Sequence, residues 1–175
     1  IESILEHKLN DKIEIICYTD VSDLKQSNIG IDEVFISRND RTTVSGNRIF
    51  VYYDGDHNHL RKQIREGIGE VYLNAMLYGS GLSGLVQKSI QLKIPDWFKE
   101  GLIAYLGDEW NVKTDNELRD FLSIYPNKKF EALAKDKPRL MGHAFWNYIT
   151  REYGKSNVSN ILYLARINRN IKSSF

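Results

Sequence analysis

Between residues 57 and 78 apolar side chains return at Leu60, Ile64, Ile68, Val71 and Ala75, at spacings of three and four. That spacing gathers them on one face of a helix and excludes a strand for this stretch. A helix of this length with one apolar face needs a surface to bury it against, which constrains everything around it. Before it the pattern is extended. Lys12 to Tyr18 (KIEIICY) is β-branched and apolar between Asn10-Asp11 and Thr19-Asp20, which predicts a buried strand. Thr42 to Val44 and Arg48 to Tyr53 flank Ser45-Gly46-Asn47, a hairpin signal, and Asp54-Gly55-Asp56 ends the second strand.

Short helices are expected at the opening, from Ile1, Ile4, Leu5 and Leu9, and over Val21 to Gln26 after Thr19-Asp20. After the long helix, Gly79-Ser80-Gly81 breaks the chain and the helical pattern resumes. A helix through Ile90 is expected, and Pro95 suits a first helical position leading Trp97 to Leu106. Thr114 and Glu117 have capping-box spacing ahead of Leu118, Phe121 and Leu122. Two more helices are read at about 140–153, closed by Gly154, and from Ser156 to about 170. Strands first and helices after predict an α+β fold, a small sheet with helices followed by a mainly helical C-terminal part.

At 175 residues the chain fits a single domain, 1–175, large enough to bury a real core without metals or disulfides. It begins at Ile1, with no signal peptide and no apolar run of membrane-spanning length, and is expected to be a piece of a longer protein. A net charge of +1 gives no general pull toward nucleic acid. The lone Cys17 excludes an intramolecular disulfide and reads as a small buried hydrophobe.

Two segments carry the chemistry, Gln63 to Leu73 (QIREGIGEVYL) and Ile94 to Leu106 (IPDWFKEGLIAYL). The second resembles the helix that supplies the third zinc ligand in gluzincin metallopeptidases, especially the peptidase-MA-like group. Pro95, Trp97, Phe98, Glu100, Gly101, Ala104 and Tyr105 carry the likeness. The resemblance extends to Lys12–Asn28, Arg48–Asp56 and Met141–Gly154, and so to roughly residues 12 to 170. It implies a zincin-like fold. A Tyr-x-Asp-Gly-Asp strand with an Arg-x-Gly-Ile helix resembles bacterial envelope proteins in which such a domain precedes a β-propeller. A periplasmic or envelope location is implied by that likeness alone.

In an active relative the first segment would read His-Glu-x-x-His. Two histidines one turn apart share a zinc ion, and the glutamate activates the bound water. Here it reads Arg65-Glu66-Gly67-Ile68-Gly69. Arg65 cannot deprotonate to bind metal and Gly69 has no side chain. Glu66 and Glu100 remain, so the resemblance implies a pseudo-metallopeptidase with no cofactor and a vestigial cleft of Arg65, Glu66, Gly69, Glu100 and His143. We expect Arg65 to replace the metal's charge by bridging toward Glu100. Gly67 and Gly69 together give up about 2 kcal/mol of helix propensity. Close packing of a neighbour offsets that, or a groove that admits a partner.

His57 and His59 alternate around Asn58 at the mouth of the helix. With Glu100 they are the fallback ligands for a metal, while exposed loop residues are the plainer account. His143 falls where active relatives place an oxyanion-stabilising group, or serves as a helix-packing histidine. Arg166, Arg169 and Lys172 read as a solvated face. Trp97, Phe98, Tyr105 and Leu106 read as core beneath the cleft. The expected function is a catalytically inactive protein-interaction or scaffold module. Its partner would be a protein or peptide, including its own downstream propeller, lying along an edge strand by β-addition. The alternative expectations are a zinc-dependent peptidase with a non-standard site and a purely structural spacer.

Overall fold

A three-stranded sheet opens the fold, with strand order β1-β3-β2. The computed structural model describes residues 1–26, 42–79 and 94–168. β2 (Thr43–Ser45) and β3 (Arg48–Tyr52) form the expected hairpin, antiparallel with Val44 opposite Ile49. Gly46 makes its turn possible at φ 56. β1 (Glu14–Tyr18) joins β3 in parallel, Ile16 opposite Phe50, through a crossover that contains α2 (Val21–Gln26). The opening helix α1 (Glu2–Leu5) is shorter than its apolar spacing suggests, because Glu6 turns left-handed at φ 48 and Leu9 packs from outside it.

β1 corrects an expectation. None of its residues is buried, Ile15 is 45% exposed, and Cys17 is exposed rather than a core residue. The long helix packs its apolar residues Leu60, Ile64, Ile68 and Val71 with Val44 of β2 and Ile49 and Val51 of β3. Among the described residues β1 lies at the far edge of the sheet from β2. An apolar run marks a strand; what covers that strand is decided by topology.

That helix, α3 (His57–Tyr78), starts at Asp56, whose carboxylate accepts from the Asn58 amide at 2.7 Å. Gln63 ties it to the sheet. Its amide donates to the Tyr52 carbonyl at 2.9 Å and accepts from the Tyr52 N–H at 3.2 Å. The Thr42 hydroxyl donates to the Gln63 carbonyl at 2.8 Å. Gly67 sits where the helix touches the hairpin, and a Cβ there would overlap Ile49 and lie 3.0 Å from Thr42 Cγ2.

The helices that follow are α4 (Asp96–Gly107), α5 (Val112–Ile124), α6 (Phe130–Asp136), α7 (Pro138–Tyr153) and α8 (Ser156–Asn168). Pro95 is the residue before α4 rather than its first. The cap of α5 is Asn111, which accepts from the Thr114 amide at 3.1 Å, so Thr114 is the capped residue and not the cap. Gly154, at φ 91, ends α7 as expected. The helix expected through Ile90, together with Arg169 and Lys172, lies outside the described residues.

The main core lies where α3, α4, α7 and α8 meet. Phe98 and Trp146 are fully buried, their rings edge-to-face at 4.8 Å, and Trp146 Nε1 donates to the Phe98 carbonyl at 3.0 Å. α4 and α7 approach most closely at Gly101 and Gly142. A Cβ on Gly142 would overlap the Trp97 carbonyl oxygen, and one on Gly101 would overlap the Gly142 backbone. The architecture is mixed α+β, eight helices and one small sheet among the described residues. None of those helices is long and apolar enough to cross a membrane.

Candidate functional site

α3 and α4 bring Glu66 and Glu100 to one place. Both border a small pocket of about 10 Å³, with Glu70, Thr42, Ile103 and Arg139. That volume is about the room one water needs. Glu66 is 4% exposed and reaches the pocket by passing Gly107 of α4, where any Cβ would overlap its Cγ.

The cation beside Glu66 is Arg139, from the first turn of α7, and not Arg65. Arg139 Nη2 donates to Glu66 Oε1. Burial pushes the Glu66 carboxyl above its ordinary value, while Arg139 and Lys62 pull it down. Without those charges an ionised carboxylate at this depth would be costly.

Arg65 turns elsewhere, so the expected bridge to Glu100 is replaced by a different role. Its Nε donates to the Leu106 carbonyl at 3.1 Å, one of the last carbonyls of α4. A helix C-terminus leaves carbonyls without intrahelical partners and carries partial negative charge, so a guanidinium fits there. Gly69 meets the same residue: a Cβ on it would lie 3.1 Å from Leu106 Cδ1. Of the two accounts offered for Gly67 and Gly69, both glycines serve close packing, one against the hairpin and one against α4.

Beyond the pocket a cleft of about 370 Å³ opens between α3, α4 and α7, with Lys62, Glu100, Asp108, Lys137, Arg139 and His143 on its walls. His143 is 5% exposed, held edge-on to Trp110 at 5.0 Å and Tyr105 at 6.4 Å. Burial, and then the charges of Arg139 and Lys62, lower its pKa to about 4, so the ring is neutral near pH 7. A second cleft of about 480 Å³ runs along the start of α3 past His59, Arg61, Arg65 and Glu109. Lys62 and Asp108 border both clefts and pair at 3.3 Å, a bridge across the wall between them.

His57 and His59 stay at the mouth of α3. The His57 ring stands 3.3 Å from the Tyr53 hydroxyl through Nε2, and His59 Nδ1 meets Asp54 Oδ2 at 2.5 Å. They do not converge with Glu100, and no group of three His, Cys, Asp or Glu among the described residues could hold a metal ion. The zinc that the motif would imply does not fit these residues. At its first ligand position Arg65 caps α4, at the second Leu106 fills the space, and Arg139 holds the glutamate between them.

The structure thus gathers Glu66, Glu100 and His143, and leaves Arg65, Gly69, His57 and His59 in other tasks. Arg139, Gly107 and Asp108 escaped the sequence reading. One signal was available: Pro138 suits a first helical position and begins α7, which sets Arg139 on its first turn. Compared with protein-family models, curated proteins and solved structures, the chain has no significant match.

Proposed function

We propose that the chain is a zincin-like domain without peptidase chemistry, and that its cleft serves as a groove for a protein or peptide partner. The likeness of residues 94–106 to a gluzincin helix motivates the fold, and the meeting of Glu66 with Glu100 supports it. One observation carries the loss of chemistry: the Arg139 guanidinium sits on Glu66 in the pocket that Glu66 shares with Glu100. A general base needs a basic lone pair aimed at a water, and Arg139 occupies Oε1 and draws the carboxylate toward lower basicity. Thr42, the residue before β2, lines the pocket next to Glu66. In this reading an extended segment lies along an edge strand by strand addition. An envelope setting and a propeller on the same polypeptide belong to the same reading, on the likeness alone.

Elemental mass spectrometry of the purified protein, with and without a zinc soak, tests it together with a quenched-fluorescence peptide library. Substoichiometric metal in both samples and no cleavage are the expected results. One tightly held zinc per chain with peptide cleavage would overturn the reading.

A further inference from the structure

Among the described residues β1 is a sheet edge that lacks the features which keep a strand from pairing with another chain. Such edges are guarded by a proline, a bulge, an inward-pointing charge or a covering element. Ile15-Ile16-Cys17 holds no proline and no charge, and its register with β3 runs without a bulge. Ile15 and Ile16 are 45% and 36% exposed, and Cys17 is exposed. The charge that opens the strand is already answered, because Arg48 Nε donates to Glu14 Oε2 at 2.9 Å.

The backbone determines which residues face outward. The Glu14 N–H donates to the Asn47 carbonyl at 3.0 Å, and the Tyr53 N–H donates to the Tyr18 carbonyl at 3.0 Å. Bonding direction alternates along a strand, so Glu14, Ile16 and Tyr18 bond β3 while Ile15 and Cys17 turn their N–H and C=O groups to the open edge. Ile15 and Cys17 are also the ladder partners of Ile49 and Val51. Their side chains therefore stand on the face of the sheet that α3 covers, yet the helix leaves them exposed.

We propose that β1 pairs antiparallel with β1 of a second copy of this chain, joining the two sheets into one. An antiparallel pair sets outward-bonding residues against each other, which leaves three registers. Ile15 against Ile15, or Cys17 against Cys17, leaves the end of each strand unpaired, and the second also sets Glu14 against Asp20. Ile15 against Cys17 pairs the whole of Glu14–Tyr18 and puts Ile16 against Ile16 at the two-fold axis. The same register brings the exposed Lys12 opposite the exposed Asp20 at both ends. Ile15 and Cys17 of both copies then form an apolar strip between two α3 helices. A strand that is apolar at its centre and oppositely charged at its ends complements itself, which selects a second copy over an unrelated strand. The inference stands apart from the peptide groove, whose pocket lies at Thr42 beside β2, the opposite edge of the sheet.

Sedimentation equilibrium of the chain should show a monomer–dimer equilibrium with a Kd on the order of 100 µM, since one pair of short strands buries less than a standard interface. Ile16→Lys sets two cations face to face at the axis and should weaken the dimer at least about tenfold. Lys12→Glu should weaken it about threefold at low salt and less at near-physiological salt. The register has its own readout. Ile16→Cys in a Cys17→Ser background should oxidise to a disulfide-linked dimer, because a non-hydrogen-bonded pair holds its Cα atoms about 4.5 Å apart. In the same oxidant the native Cys17, diagonal to its copy at about 7–8 Å, should stay a thiol. Circular dichroism confirms that the variants fold. A chain that stays monomeric well above that concentration overturns the inference, and so does a dimer indifferent to Ile16→Lys, which uses another face. A crosslink through Cys17 but not through Ile16→Cys overturns the register and the charge pairing that selects a second copy. Dye-labelled random octapeptides that bind a monomeric chain and are lost with Ile16→Lys give the edge to another strand, and overturn it as well.

Discussion

Arg139 Nη2 donates to Glu66 Oε1 across 73 positions of chain, joining the first turn of α7 to the middle of α3. The two side chains are 34% and 5% exposed, so the carboxylate is enclosed while its partner keeps contact with water. Gly107 leaves the space through which Glu66 reaches the pair. The pair therefore sits where three helices meet.

Arg139→Leu should cost about 2–3 kcal/mol, toward the low end for losing one partner of a buried pair because Arg139 is partly solvated. In the Glu66→Gln background the same change should cost less than about 1 kcal/mol, since no charge is then stranded. Urea denaturation of the four proteins at pH 7 measures the coupling. Equal costs in both backgrounds would show that the pair does not act as a pair. The pH dependence has its own sign. A carboxyl whose folded pKa is raised binds its proton more tightly when folded, so its contribution declines as pH rises above the ordinary value of 4.5. Glu66→Gln should remove that decline.

His143 predicts the opposite slope. Its pKa is lowered from 6.5 to about 4, so between those values the unfolded chain holds a proton that the folded chain lacks. Stability from this group is complete above pH 6.5 and is lost as pH falls toward 4, by up to about 3 kcal/mol. Urea midpoints measured from pH 4 to pH 7 should rise in the wild type and flatten in His143→Phe. A slope that survives the substitution would assign it to other groups.

Much of the frame was legible because it is local. Spacing of apolar residues marks α3, and Gly46-Asn47 marks the hairpin, since both signals lie within a few residues of what they specify. The likeness of residues 94–106 to a motif helix placed Glu66 and Glu100 in one expected cleft, and the two do border one pocket. The identity of the cation was not legible. Neighbouring residues on a helix point about 100° apart, so Arg65 faces the end of α4 while Glu66 faces the pocket. Arg139 reaches that pocket only through the crossing of α7, which no local pattern encodes. The exposure of β1 was hidden for the same reason: an apolar strand looks alike in sequence whether or not another layer covers it.

Asn111→Ala should lower stability by about 1 kcal/mol, because its side chain accepts from the Thr114 amide at 3.1 Å at the start of α5. Thr114→Val should cost less, as it keeps the amide capping bond at 3.1 Å and removes only the longer bond of the hydroxyl to Asn111 Oδ1 at 3.4 Å. Thermal melts of the two variants separate the cases, and the reverse order would restore Thr114 as the cap.

The glycines offer a contrast in size. Gly142 of α7 lies so close to α4 that a Cβ would overlap the Trp97 carbonyl oxygen, and Gly101 faces it across the same crossing. Backbone cannot rotate aside as a side chain can, so the helices must part, and Phe98 and Trp146 must give up their packing. Gly142→Ala should therefore cost about 3 kcal/mol or more, at or beyond the upper end of overpacking penalties. At Gly69 the nearest atom is Leu106 Cδ1 at 3.1 Å, the end of a flexible side chain. Alanine there gains about 1 kcal/mol of helix propensity, offset by the contact with Leu106 Cβ at 3.3 Å, which cannot rotate aside, so Gly69→Ala should lie within about 1 kcal/mol of neutral. Urea unfolding followed by circular dichroism compares them directly. A tolerated Gly142→Ala would mean that α4 and α7 are held apart more than their glycines require, and the cleft between them would lose its rigid floor.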